Sequence, residues 1–86
     1  MGMGKVFAGS IAGKKIVNIS GAVLGELENI TFDVQTGKMI DIIIKPDSEL
    51  NRHKYREDGK YVLIPYTSLV AVKDYIVVDE NRAMKQ

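Results

Sequence analysis

The chain has 86 residues, 45% of them hydrophobic, with 12 Lys+Arg against 11 Asp+Glu and a formal net charge of +1. A chain this short makes one domain and buries about 60–65% of the surface its unfolded form exposes, which is one thin core. This composition argues against a disordered polymer and a bulk nucleic-acid footprint, and the absence of cysteine excludes disulfide stapling, thiolate chemistry and zinc–thiolate sites.

Unbroken apolar runs stop at four residues, far short of the ~20 a membrane helix needs. The first residues hold an early Lys5 but no apolar signal core, so a cytoplasmic location and no membrane insertion are expected. Met1 to Gly4 is expected to be a flexible N-terminus, followed by one domain over 5–80 and a polar tail over 81–86. Val6, Phe7, Ile11 and Ala12, punctuated by Gly9 and Gly13, form either one helical turn or an irregular lead-in that lays Phe7 and Ile11 on the core.

Ile16-Val17-Asn18-Ile19 is the first predicted strand, closed by the turn residues Ser20-Gly21. In the second, Val23 and Leu27 fall on odd positions, whereas Ile30, Phe32 and Val34 fall on even ones. Side chains alternate faces along a strand, so this change of parity requires one extra residue to be absorbed. A β-bulge near Glu28-Asn29 absorbs it and bends the strand, as a small barrel needs at its corners. Gly25, lacking a side chain, suits a kink or a close backbone approach.

Thr36-Gly37-Lys38 turns the chain into a third strand, Met39 to Ile44, stopped by Pro46, which has no N–H for the ladder. Ile40, Ile42 and Ile44 are expected on one face, with Met39, Asp41 and Ile43 on the other. Apolar groups on both faces mark Met39 and Ile43 as a second contact surface, for a partner protein or a second copy of the chain. Asp47 to Gly59 is a polar loop. Tyr61 to Ile64, Leu69 to Val72 and Tyr75 to Val78 are three further strands, the last two joined at Lys73-Asp74. Gly37-Lys38-Met39-Ile40-Asp41-Ile42 echoes Gly59-Lys60-Tyr61-Val62-Leu63-Ile64, as turn chemistry alone produces. About six short antiparallel strands with little helix describe an all-β fold, a small barrel.

Chemistry-bearing groups are sparse. The only histidine lies in the basic loop Arg52-His53-Lys54-Tyr55-Arg56, which could grip RNA phosphates while Tyr55 stacks on a base. Asp47, Glu49, Glu57 and Asp58 flank it and offset its charge, which favours a solvated loop. Asp33, Asp41 and Asp47 carry the oxygen ligands a divalent cation takes, but turn capping accounts for Asp33 better. Ser10, Ser20, Ser48 and Ser68 lack a nucleophile setting. No catalytic residue, metal ligand or cofactor is therefore expected. Tyr61, Tyr66 and Tyr75 are further candidates for a partner surface, combining an apolar body with a polar tip.

The order Gly13-Lys14-Lys15-Ile16-Val17, Gly21-x-x-x-Gly25-x-Leu27, Phe32-Asp33, Thr36-Gly37-Lys38 and Ile64-Pro65…Val70 resembles the PRC-barrel domain over roughly residues 5–80. That family includes the photosynthetic reaction-centre H subunit and the C-terminal domain of the ribosome-maturation factor RimM. The single-domain size is most similar to stand-alone archaeal members. The resemblance implies a non-enzymatic protein-binding adaptor and a homodimer, in its most specific form a cell-division adaptor that engages a SepF-type membrane anchor. An RNA- or ribosome-associated module is the alternative it implies.

Overall fold

The computed structural model describes the backbone of residues 3–6 and residues 13–85. Its strands are β1 (Met3–Val6), β2 (Lys15–Asn18), β3 (Val23–Asp33), β4 (Met39–Pro46), β5 (Arg56–Asp58), β6 (Tyr61–Pro65), β7 (Leu69–Val72) and β8 (Ile76–Val78). One short helix, α1 (Glu80–Ala83), follows. The fold is all-β, as predicted, but the six predicted strands gain two. The added strands are β1, from a glycine-rich start, and β5, whose Arg-Glu-Asp residues are all exposed. Neither segment has the in–out alternation that reveals a strand. The predicted lead-in through Phe7, Ile11 and Ala12 lies outside the described residues.

The strands run in the order β5-β6-β4-β3-β2-β8-β7, with β1 also on β3. β3 is central because its length serves several partners. Its first half pairs with β2, its second half with β1, and β4 lines its other edge. All these pairings are antiparallel except β2 with β8, which is parallel and brings the end of the chain back to its beginning. A parallel pair needs a long crossover, and here β3 to β7 supply it.

Two interruptions curve the β3–β4 ribbon. Leu27 faces Ile44 and Asn29 faces Ile43, so Glu28 is the inserted residue at the predicted bulge. The bulge keeps both Leu27 and Ile30 in the core, at 3% and 6% exposure. A second shift lies between Thr31, opposite Asp41, and Phe32, opposite Met39, leaving Ile40 extra on β4. It overturns part of the facial assignment made from alternation. Ile42 and Ile44 are core residues, but Met39 joins them at its margin beside Phe32, and Ile40 is half-buried outside the cluster.

Glycine matters most at two places. At Gly25 the backbone of β3 approaches β4 so closely that an added Cβ would collide with the Lys45 carbonyl oxygen. It would also lie 2.8 Å from Ile44 Cγ2 and 2.9 Å from the Pro46 Cα. Gly37 sits in the β3–β4 turn at φ +74°, where the Gly37 N–H donates to the Asp33 carbonyl at 2.7 Å and the Asp33 N–H donates to the Lys38 carbonyl at 2.8 Å.

The two ends of the sheet, β5 and β7, do not pair with each other. α1 packs against β6 and the Tyr66–Ser68 turn instead. The Asp79 N–H donates to the Ser68 carbonyl at 2.7 Å, and the Lys85 N–H donates to the Lys54 carbonyl at 2.9 Å. Ala83 and Tyr55 enter the same apolar cluster as Ile64 and Val78. The barrel is thus completed by a helical latch and side chains rather than by a last strand ladder.

Candidate interaction surfaces

The polar loop resolves into groups that serve the fold. Asn51 caps a 3₁₀ turn at Arg52–Lys54, its side chain accepting from the His53 N–H at 3.3 Å. The chain then turns Tyr55 inward, to 1% exposure. The Tyr55 hydroxyl donates to Glu80 Oε2 at 2.9 Å. Burial, followed by the hydrogen bond and negative charge of Glu80, pushes the Tyr55 pKa far above the ordinary phenol value. Neither the favoured solvated-loop reading nor the alternative of base stacking describes Tyr55: its ring is a core element. Periodicity could not reveal it, because its neighbours on both sides are charged.

The remaining cations of the loop are partly engaged. Arg52 Nη2 donates to the Gly59 carbonyl at 2.7 Å. Its Nε is 3.1 Å from Glu57 Oε1, close enough for charge pairing although not aligned as a hydrogen bond. Arg56 pairs with Asp41 Oδ1. His53 Nδ1 is 3.8 Å from Glu57 Oε2, its side chain otherwise open to solvent, and Lys54 is exposed. The aspartates considered as ligands are occupied separately. Asp33 Oδ1 accepts from the Gln35 N–H, Asp47 Oδ2 accepts from the Glu49 N–H, and Asp41 holds Arg56. Among the described residues no three His, Cys, Asp or Glu side chains gather around a common point.

The residues expected at a partner surface separate. Ile43 is only 7% exposed, on the outer face of β4 between Asn29 and Leu63. Met39 packs against the core because of the Ile40 insertion. Ile43 offers almost no open surface and Met39 is half-buried against the core, so the two do not form the shared face inferred from alternation. Tyr61 is half-buried with Lys60 Nζ 5.4 Å from its ring centroid, and Tyr66 is 42% exposed.

Exposed apolar side chains are scattered at Ile19, Val23, Val34 and Tyr66, and three more gather on the last hairpin. Val70 and Val72 of β7 are 56% and 55% exposed, and Tyr75 is 43% exposed. Leu69 faces Val78 and Ala71 faces Val77, so Val70 is an inserted residue that turns outward. Among the described residues β7 pairs only with β8. The contrast with the other end of the sheet is sharp: β5 is Arg-Glu-Asp, whereas Leu-Val-Ala-Val carries no charge. Charged side chains protect a sheet edge from pairing, and β7 has none. The sequence showed the uncharged run but not which end of the sheet it would occupy.

A bent β3–β4 ribbon, a parallel return of β8 and a helical latch define a small β-barrel module. The chain belongs to the PRC-barrel domain family, whose profile matches residues 3–85. It is 35% identical over 68 residues to "Uncharacterized protein MJ1118" of Methanocaldococcus jannaschii, an alignment that covers 79% of this chain and 74% of that protein. The family match, over residues 3–85, includes both β1 and α1. PRC-barrel domains are generally non-catalytic and often mediate protein interactions. Among the described residues no helix is long and apolar enough to cross a membrane.

Proposed function

We propose that this PRC-barrel is a non-enzymatic adaptor that binds another protein and acts as a homodimer in the cytoplasm. The observation that carries this reading is the outer β7 edge, unpaired among the described residues, with its exposed Val70 and Val72. Two copies related by a two-fold axis can pair β7 with β7 in antiparallel fashion, because the same neutral surface is presented by each. The net charge of +1 gives little repulsion between copies. Pairing would extend the sheet and cover the valines, and each dimer would display two copies of every remaining surface.

The finer version is an archaeal cell-division adaptor that docks on a SepF-type membrane anchor, supported by family membership and the archaeal relative. The competing RNA- or ribosome-associated reading loses much of its support, since Tyr55 is buried and Arg52 and Arg56 have internal partners. The two readings separate in a salt series. The nuclease-treated chain is titrated against an immobilised SepF-type anchor and, in parallel, against labelled single-stranded RNA. The adaptor reading expects saturable protein binding with shallow salt dependence and no RNA binding of comparable strength. RNA binding that falls steeply with salt, without protein binding, would replace the adaptor by the RNA module.

A further inference from the structure

A cleft of about 400 Å³ lies where the seam between β5, β6 and the C-terminal latch meets solvent, lined by Arg56, Pro65, Arg82, Ala83, Met84 and Lys85. Three of the six are cations and none is an acid. Its counterpart at the other end of α1 takes Asp47, Glu49 and Glu80 with no cation, so the linings of the two clefts carry opposite charge. Arg56 is held by Asp41 yet keeps 48% of its side chain exposed, and Arg82 is 70% exposed with its nearest carboxylate, on Asp79, 3.8 Å away. No carboxylate of the described residues comes within ion-pairing distance of Lys85. The floor is apolar: Pro65, the buried Ala83 and the half-buried Met84, which packs against the core.

The cleft is also pre-shaped. The Lys85 N–H is pinned to the Lys54 carbonyl, and the Met84 N–H to the Glu80 carbonyl. The backbone that carries two of the cations therefore needs little ordering on binding, which removes part of the entropic cost.

We propose that this cleft binds an acidic peptide segment of the partner protein, with carboxylates on Arg56, Arg82 and Lys85 and an apolar side chain against Met84 and Pro65. The proposal deepens the adaptor reading and rests on it. Guanidinium groups favour carboxylates through paired hydrogen bonds, and an adaptable thioether floor accepts an aliphatic side chain. A nucleic acid would find no exposed aromatic ring among these lining residues on which a base could stack. Charge and floor together favour the peptide.

The test uses the full chain and a labelled peptide alternating aspartate with leucine, with an asparagine–leucine peptide as control. Saturable binding of the aspartate peptide alone is expected, with NMR amide shifts confined to Arg56, the residues flanking Pro65, and Arg82 to Lys85. Arg82→Glu with Lys85→Glu should weaken binding about tenfold or more, whereas Lys38→Glu with Lys73→Glu should change it by less than about threefold. Arg82→Gln with Lys85→Gln should weaken it in the same direction, which guards against a charge reversal that unsettles α1; circular dichroism checks the fold of each variant. Shifts spread over the chain, equal losses in both glutamate pairs, or displacement by single-stranded RNA at lower concentration than the peptide would each overturn the proposal. If the peptide fails to bind while the chain still dimerises, the cleft assignment falls and the adaptor reading stands.

Discussion

The Tyr55 hydroxyl meets Glu80 Oε2 at 2.9 Å and ties the polar loop to α1, a link not made by a ladder, since β5 and β7 do not pair with each other. Tyr55→Phe keeps the ring and removes the donor, leaving a half-buried carboxylate unsatisfied. The expected loss is about 1.5–3 kcal/mol, the range for a hydrogen bond to a charged group. Tyr55→Ala also opens the core and should cost about 3–5 kcal/mol. Urea unfolding measures both. A Phe variant as stable as the parent would mean that the latch contributes nothing through this bond.

The same contact gives a pH signature. The native phenol holds its proton above the ordinary value of 10.0, where the unfolded tyrosine gives its proton up. The folded state then binds more protons, so its stability falls with rising pH. The contribution is fully present below pH 10.0 and lost progressively above it. Tyr55→Phe should lack this part of the alkaline decline, as parallel denaturation curves on either side of that pH would show.

At Gly25 the backbones of β3 and β4 approach too closely to admit a side chain. Gly25→Ala forces a methyl group against the Lys45 carbonyl and Ile44 Cγ2, and overpacking of this kind costs about 1–3 kcal/mol or more. Chemical denaturation should show the loss, and unchanged stability would mean that β3 and β4 separate there without penalty.

The latch depends on its cap. Asp79 Oδ1 accepts from the Asn81 N–H at 3.0 Å, and Asp79→Ala should cost about 0.5–2 kcal/mol. Amide exchange at Lys85, whose N–H closes on Lys54, should quicken more than exchange at Ile44 in the core. Equal acceleration at both sites would indicate that α1 unfolds only with the whole barrel.

The sequence made some elements legible and hid others for definable reasons. The change of parity between Leu27 and Ile30 located the bulge at Glu28, because one face of β3 must stay apolar. The echoing glycines 37 and 59 do both take positive φ, at +74° and +60°. The second insertion at Ile40 left no trace, since Met39 and Ile40 are both apolar and alternation cannot tell which of them faces the core. Tyr55 stayed hidden in a charged loop, and α1 in a polar tail whose buried contact is a single alanine. The partner surface was sought on β4 and at the tyrosines; the β4 side chains are largely used within this chain, whereas the edge that is unpaired among the described residues depends on strand order. Strand order is a long-range property that alternation along one segment does not encode.

The dimer through β7 is tested most directly by sedimentation equilibrium of the full chain beside Val70→Lys with Val72→Lys. Both valines are more than half exposed, so the lysines should leave the barrel folded by circular dichroism while placing like charges across the paired edges. The parent should sediment as a dimer and the folded variant as a monomer. A parent that stays monomeric at every concentration, or a variant that remains dimeric, would contradict self-association through this edge.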